Sequence, residues 1–151
     1  MQAQRFICDG MLGKLARWLR LAGYDTMYLN TPDKMRLVRI SRSQGRCLLT
    51  RDTRLAARFP EEACLISSDR FGEQFRQVRD KFHVQIVPER LGTRCSLCNE
   101  PLVSVAREAV ADRVPAYTWA RQKEFRECPV CRRVYWQGDH WKRMKEVFSS
   151  L

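Results

Sequence analysis

Two Cys-x-x-Cys pairs, Cys95/Cys98 and Cys128/Cys131, constrain the fold of this chain more than any other feature. Each pair can present two thiolates to one metal ion from a tight turn, and two pairs complete the tetrahedral shell that structural zinc prefers. The sequence therefore predicts a zinc ribbon in the second half of the chain. Because sulfur would fill every ligand position, this zinc would leave no place for a substrate or a water molecule. Catalysis is accordingly expected in the first half.

Two disulfides are the alternative interpretation of these four cysteines. The first residues lack the long apolar run of a secretory signal, which predicts a reducing compartment. Disulfides are not expected in such a compartment. The other three cysteines, Cys8, Cys47 and Cys64, stand among apolar residues, where a reduced cysteine is an ordinary small hydrophobe. We therefore expect a cytoplasmic protein with reduced thiols. No stretch approaches the length of a membrane span.

The charge balance favours a nucleic acid as partner. The chain has 28 Lys+Arg against 17 Asp+Glu, a formal net charge of +11, which attracts phosphate polymers more than neutral metabolites. The candidate contacts with RNA are Lys14, Arg17, Arg20, Arg51, Arg132, Arg133, Lys142 and Arg143. The first three also fit a solvated helix face. Tyr135, Trp136 and Trp141 either stack bases between these cations or form the small core of the ribbon.

Strands and helices are predicted to alternate in the first half of the chain. Short apolar runs predict strands at residues 5–8, 26–29, 46–50 and 63–66. Apolar residues at helical spacing predict helices at residues 11–22 and 34–44, a short helix before Pro60 and another helix after Asp69. This alternation predicts an α/β fold in which helices sandwich a mainly parallel sheet. Residues 84–87 are a candidate edge strand.

A change of pattern near residue 91 divides the chain into two predicted domains. Residues 1–90 are expected to form the α/β domain, and residues 91–151 the zinc ribbon with a basic carboxy-terminal helix. Zinc favours this division, because a piece of about sixty residues seldom buries enough apolar surface to fold unaided. Residues 101–127, between the two cysteine pairs, have weak periodicity and are predicted as strands or loops.

One aspartate follows each of the four predicted strands: Asp9, Asp33, Asp52 and Asp69. Ligands of an open parallel sheet meet groups at the carboxyl ends of its strands. Clustered carboxylates repel one another unless a cation lies among them, and a shell of oxygen ligands selects Mg²⁺ or Mn²⁺. On a basic protein, such a site indicates phosphodiester hydrolysis. All but Asp9 also precede a helix, where an aspartate is a favoured N-cap.

Several motifs resemble the PIN-like ribonuclease domain first described at the carboxy terminus of Mut-seven exonucleases. They are DGMLGKLARWLR at residues 9–20, GYD at residues 23–25, LLTRD at residues 48–52, and the two cysteine pairs with VYWQGDH at residues 134–140. The resemblance covers nearly the whole chain. It implies a PIN-like fold with an appended zinc ribbon, and metal-dependent RNA cleavage by an acidic cluster.

The resemblance also implies roles for individual residues. Asp9 matches the acid of the first strand, and Asp52 matches the acid of a Thr-x-Asp motif in which Thr50 is the hydroxyl partner. Asp33 stands where the family places an acid at the start of the second helix, although Lys34 follows it instead of the usual acidic residue.

The leading hypothesis is a ribonuclease in which Asp9, Asp33 and Asp52 bind Mg²⁺ or Mn²⁺ and activate water. Asp69 is a further catalytic candidate, although it has no counterpart in the family motifs. A non-catalytic RNA-binding or ribosome-associated module that keeps the PIN-like shell is the first alternative. A PIN-like nuclease directed at DNA is the second.

Overall fold

A computed structural model describes residues 3–151, and its first part is a four-stranded parallel sheet. The strands are β1 (Phe6–Asp9), β2 (Thr26–Leu29), β3 (Cys47–Thr50) and β4 (Ala63–Leu65), in the order β2-β1-β3-β4. The helices are α1 (Gly13–Leu21), α2 (Lys34–Gln44), α3 (Thr53–Arg58) and α4 (Phe71–Phe82), and a 3-10 turn, Gly10–Leu12, precedes α1. The predicted α/β fold with a parallel sheet is confirmed.

Helices cover both faces of this sheet. One core joins α1 and α4 to the sheet and contains Leu15 and Phe75, both almost fully buried. The other core joins α2 and α3 to the opposite face and contains Leu37. Neighbouring residues of β1 serve opposite faces, as the pleat of a strand requires, since Phe6 belongs to the first core and Ile7 to the second.

The turn between α1 and β2 depends on Gly23. This residue has a φ of +94°, and a Cβ atom built on it would lie 2.4 Å from the carbonyl oxygen of Arg90. Both the backbone conformation and the close approach therefore require glycine. The end of α1 predicted at this glycine is confirmed.

Two local predictions are wrong. Residues 84–87 form no strand, because Val84 is buried in the first core and the N–H of Gln85 donates to the hydroxyl of Tyr24 at 2.8 Å. The stretch between the cysteine pairs contains a short helix, α5 (Ala116–Arg121), besides its strands. A helix of six residues is too short to show a helical period in the sequence.

The second part of the chain is a small antiparallel sheet followed by a helix. Its strands are β5 (Val103–Val105), β6 (Phe125–Glu127) and β7 (Val134–Tyr135), in the order β5-β6-β7. The last helix, α6 (Asp139–Ser150), contains the basic segment predicted to be helical. No helix among the described residues is both long enough and apolar enough to cross a membrane.

Helix α6 packs against the α/β part of the chain. Phe148 is buried in the first core, where its ring centroid lies 5.1 Å from that of Trp18 and 5.7 Å from that of Phe75. The guanidinium of Arg79 donates to the carbonyl of Leu151 at 2.6 Å. The two parts of the chain therefore share a hydrophobic core.

Candidate active site and zinc centre

The four predicted zinc ligands, Cys95, Cys98, Cys128 and Cys131, converge at one point. Their Sγ atoms all lie within 4.8 Å of one another. A tetrahedral site with Zn–S bonds of about 2.3 Å has S···S edges of about 3.8 Å, and the Sγ atoms of Cys95 and Cys131 are 3.7 Å apart. All seven cysteines are free of disulfides. The sulfur positions therefore fit one tetrahedral zinc ion.

The two cysteine turns have the same local geometry. In the first, the N–H of Cys98 donates to the Sγ of Cys95 at 3.3 Å, and the next residue, Asn99, has a φ of +69°. In the second, the N–H of Cys131 donates to the Sγ of Cys128 at 3.5 Å, and the next residue again has a φ of +69°. Such N–H···S bonds favour the thiolate form, which a metal ion requires.

Tyr135 supports this cysteine cluster. Its hydroxyl lies 3.1 Å from the Sγ of Cys95. Burial raises the pKa of Cys95, but the Tyr135 hydroxyl and backbone N–H groups outweigh it and lower this pKa to about 7. Burial and the neighbouring thiolate raise the pKa of Tyr135 to about 12. Of the two roles that the sequence allowed for Tyr135, the structure favours the one inside the ribbon.

The first cysteine turn docks on the α/β part of the chain. The side chain of Asn99 accepts from the N–H of Thr26 at 2.9 Å and donates to Asp25 at 2.6 Å. Arg20 donates to the carbonyl of Thr26 at 2.8 Å and to the carbonyls of residues 96 and 97 at 3.1 Å. Arg20 is only 9% exposed, so it joins the two parts of the chain instead of facing RNA as predicted.

Asp9 lies at the carboxyl end of β1 with its side chain only 4% exposed. One carboxylate oxygen accepts from the N–H of Gly10 and from the ammonium of Lys34, both at 2.6 Å, and the other accepts from the hydroxyl of Thr50 at 2.8 Å. Burial raises the pKa of Asp9, but the hydrogen bonds from Lys34, Thr50 and Gly10 more than offset it, so the pKa is lowered. Asp9 is therefore a buried, ionised carboxylate at neutral pH.

Thr50 connects Asp9 to Asp52. Besides donating to Asp9, the hydroxyl of Thr50 accepts from the N–H of Asp52 at 3.0 Å. The carboxylate of Asp52 accepts from the N–H groups of Arg54 and Leu55, each at 3.0 Å. Asp52 thus serves as the N-cap of α3, one of the two roles that the sequence allowed.

Asp33 also serves as a helix cap. It accepts from the N–H of Arg36 at 3.2 Å at the start of α2 and forms an ion pair with Arg39 at 3.1 Å. Asp33, Lys34 and Asp52 line one shallow cleft of about 380 Å³.

Asp69 is the fourth candidate acid, and it stands apart from the other three. It is exposed and does not line the cleft that Asp33 and Asp52 share. It does not cap α4 either, because the N-cap position of that helix is Arg70. The structure thus links Asp9, Thr50 and Asp52 through hydrogen bonds and leaves both Asp33 and Asp69 outside this group.

Lys34 is the residue that the sequence prediction overlooked. Within residues 3–151, the cysteine cluster is the only group of three or more His, Cys, Asp or Glu side chains close enough to share a metal ion. In the described arrangement the ammonium of Lys34, at 2.6 Å, supplies the positive charge beside Asp9. The available signal was Lys34 directly after Asp33, where the family usually has an acidic residue.

The other predicted RNA contacts have varied surroundings. Lys14 lies over the ring of Phe71 at 4.9 Å, and Arg132 forms an ion pair with the buried Glu127 at 2.9 Å. The Nε of Arg51, next to Thr50, is the one buried side-chain nitrogen or oxygen among the described residues that has no hydrogen-bond partner. The remaining four, Arg17, Arg133, Lys142 and Arg143, line a second and larger cavity.

Comparison with known proteins identifies the family. The family model described as "Mut7-C RNAse domain" matches residues 4–148. The chain belongs to this family. A human protein, "Exonuclease mut-7 homolog", is 32% identical in an alignment of 114 positions that covers 71% of this chain and 13% of that protein. The chain thus spans a small part of this relative's length, and no solved structure matches it. The resemblance inferred from the motifs is confirmed, and membership in this family supports a nuclease.

Proposed function

We propose that this chain is a metal-dependent ribonuclease whose active site is the carboxyl edge of the parallel sheet around Asp9. The observation that carries this proposal is Asp9 itself, an ionised carboxylate with a 4% exposed side chain at the end of a central strand. Burying a charge costs several kcal/mol unless it is paired. Asp9 is kept ionised by Lys34, Gly10 and Thr50, Lys34 also lines the cleft, and the chain belongs to a ribonuclease family.

The state of Asp9 favours a role in holding a cation over a role as general base. A carboxylate whose pKa is lowered is a weak proton acceptor near neutral pH. The same carboxylate is a good ligand for a hard cation, and Lys34 already places a positive charge 2.6 Å from it.

Asp9, Asp33 and Asp52 would offer only oxygen ligands, which suits Mg²⁺ or Mn²⁺, although their carboxylates are not close enough in this structure to share one ion. When bound, such an ion lowers the pKa of an attacking water and neutralises the leaving oxygen. Lys34 would have to leave Asp9 first, and its 38% exposed side chain gives it room to do so.

The surroundings of the cleft suit a phosphodiester. Arg54 and Arg58 line it together with Lys34. With a net charge of +11, this edge would attract a nucleic acid strand, and membership in a ribonuclease family favours RNA over DNA.

We also propose that Cys95, Cys98, Cys128 and Cys131 hold one structural zinc ion. Its role would be to fix the ribbon and, through Asn99, the contact with Asp25. Elemental analysis should find one zinc per chain. Protein purified without chelator that lacks zinc would contradict this assignment.

The test of the nuclease proposal compares Asp9→Asn with a matched control. The control is Asp80→Asn on α4, whose carboxylate is 71% exposed and pairs only with its neighbour Arg79. End-labelled single-stranded RNA is incubated with zinc-loaded protein and Mg²⁺ or Mn²⁺, and products are resolved on a denaturing gel. We expect cleavage by the wild type and by the control, and a cleavage rate at least about 100-fold lower in Asp9→Asn. Loss of a residue that only supports a metal ligand already lowers activity by about 10- to 100-fold, and Asp9 is proposed to be a metal ligand itself.

A non-catalytic RNA-binding module is the second candidate, and the Lys34–Asp9 ion pair favours it. A module of this kind would bind the labelled RNA but would not cleave it, whether Mg²⁺ or Mn²⁺ is added. A nuclease directed at DNA would cleave a DNA oligonucleotide of matched sequence in preference to the RNA.

A further inference from the structure

A second cavity of about 930 Å³ lies where the α/β part of the chain meets the ribbon. Helix α1 forms one wall, and α5, β7 and α6 form the others. We call it the interdomain groove. The residues that define it here are Arg17 of α1, Tyr117 and Arg121 of α5, Arg133 before β7, and Lys142 and Arg143 of α6.

The interdomain groove is strongly cationic. Seven of its lining residues are Lys or Arg, and two are acidic. No ion pair among residues 3–151 involves any of the five defining cations, and all five are exposed. Like charges gathered in one concave surface raise the local potential and attract a polyanion. A sugar-phosphate strand would supply the missing negative charge.

Helix α5 adds an aromatic ring to this cationic surface. Tyr117 is 67% exposed, and Arg121 lies four residues further along the helix, on the same face. An exposed aromatic ring beside an arginine provides a stacking surface for an unpaired base. Trp141, in contrast, packs against the first core and is part of the fold.

We infer that the interdomain groove binds a single-stranded segment of nucleic acid, with phosphates on its arginines and lysine and a base on Tyr117. A duplex is a poorer occupant, because its base faces are stacked inside the helix and cannot meet Tyr117. RNA and DNA single strands share this chemistry. The groove meets α1 at Arg17, Trp18 and Leu21, toward the end of the helix that lies away from Asp9, and it shares no lining residue with the cleft of Asp33 and Asp52.

The test measures binding without cleavage. Fluorescence anisotropy is recorded with labelled U12, labelled dT12 and a blunt RNA duplex, in buffer that keeps zinc and lacks Mg²⁺ and Mn²⁺. Failure of the cleavage proposal would therefore leave this result unaffected. We expect both single strands to bind more tightly than the duplex, and the stronger of the two identifies the natural strand.

Two sets of variants locate the binding. Arg133→Ala with Arg143→Ala should weaken U12 binding and reduce the slope of log K against log salt by about 1.4, the value for two lost phosphate contacts on a single strand. Arg36→Ala with Arg76→Ala, both exposed residues outside the groove, removes the same charge and should leave the slope unchanged. Tyr117→Ala should weaken binding about tenfold, and Tyr117→Trp should retain it.

Three outcomes would overturn the inference. The duplex binds as tightly as the single strands, the control pair of arginines lowers the slope as much as the groove pair, or Tyr117→Ala binds like the wild type. The first would indicate attraction by net charge alone, and the others would place the strand elsewhere on the surface.

Discussion

Lys34→Met removes the ammonium group that lies 2.6 Å from the carboxylate of Asp9 and keeps most of the side chain's length. The hydrogen bonds from Gly10 and Thr50 remain, so Asp9 keeps two of its three donors. A hydrogen bond to a charged group contributes about 1.5–3 kcal/mol. Because Lys34 is 38% exposed, solvent screening reduces this, and we expect a loss of about 1–2 kcal/mol in the free energy of unfolding.

Urea unfolding of zinc-loaded protein at pH 7 measures this loss. Lys145→Met is the matched control, since Lys145 is exposed on α6, and it should change the free energy of unfolding by less than about 0.5 kcal/mol. Adding Mg²⁺ or Mn²⁺ should restore the stability of Lys34→Met, by about 2.7 kcal/mol when the ion is at 100 times its dissociation constant. The wild type should gain less, because Lys34 competes for Asp9.

The difference between the wild type and Lys34→Met should also depend on pH. The folded-state pKa of Asp9 is lowered, so the stability that its ionised form contributes is complete above the ordinary aspartate pKa of about 4 and is lost as the pH falls through the lowered value. Equal stability of the two proteins at pH 7, together with an equal response to divalent ions, would refute the role of Lys34 as the counter-ion of Asp9.

The remaining predictions concern the joint between the two parts of the chain, the zinc centre and the buried thiols. Asp25→Ala should cost about 3 kcal/mol in urea unfolding, because it leaves Arg46, 7% exposed, without its partner at 2.7 Å. Burial raises the pKa of Asp25, but hydrogen bonds from Arg46 and Asn99 lower it overall, so this cost should shrink as the pH falls below about 4. Removing zinc with a chelator should abolish near-ultraviolet circular dichroism from the ribbon, and restored zinc should recover it. Burial raises the pKa of the Cys8 thiol and raises that of Cys47 to about 12, so both should resist alkylation at neutral pH until the protein is unfolded, as read by mass spectrometry.

The helix boundaries that the sequence predicted correctly are those with local signals. Helix α2 begins after the cap Asp33 and ends at Gly45, which has a φ of +62°, and both residues are recognisable in the sequence. Helix α5 was missed because its six residues show no period. The sequence therefore predicted a helix correctly where a capping residue marked its start and a glycine marked its end.

The contacts that the sequence could not predict join residues far apart in the chain. Arg20 lies off the apolar stripe of α1 and was expected at the surface, but the first cysteine turn, 76 residues later, covers it. Lys34 contacts Asp9 across 25 residues because β1 and β2 are parallel neighbours. The sequence could place acids after the strands because the alternation of strands and helices is visible in it. It could not predict which side chain each acid contacts, because that depends on side-chain directions in the folded chain.

The most direct test of the active site at Asp9 is the initial rate of single-stranded RNA cleavage as a function of Mn²⁺ concentration, measured for zinc-loaded wild type, Asp9→Asn and Lys34→Met. We predict a rate that saturates with Mn²⁺ in the wild type, saturates at lower Mn²⁺ in Lys34→Met and stays at background in Asp9→Asn. A wild-type rate that does not respond to Mn²⁺, or an Asp9→Asn rate equal to that of the wild type, would contradict the account.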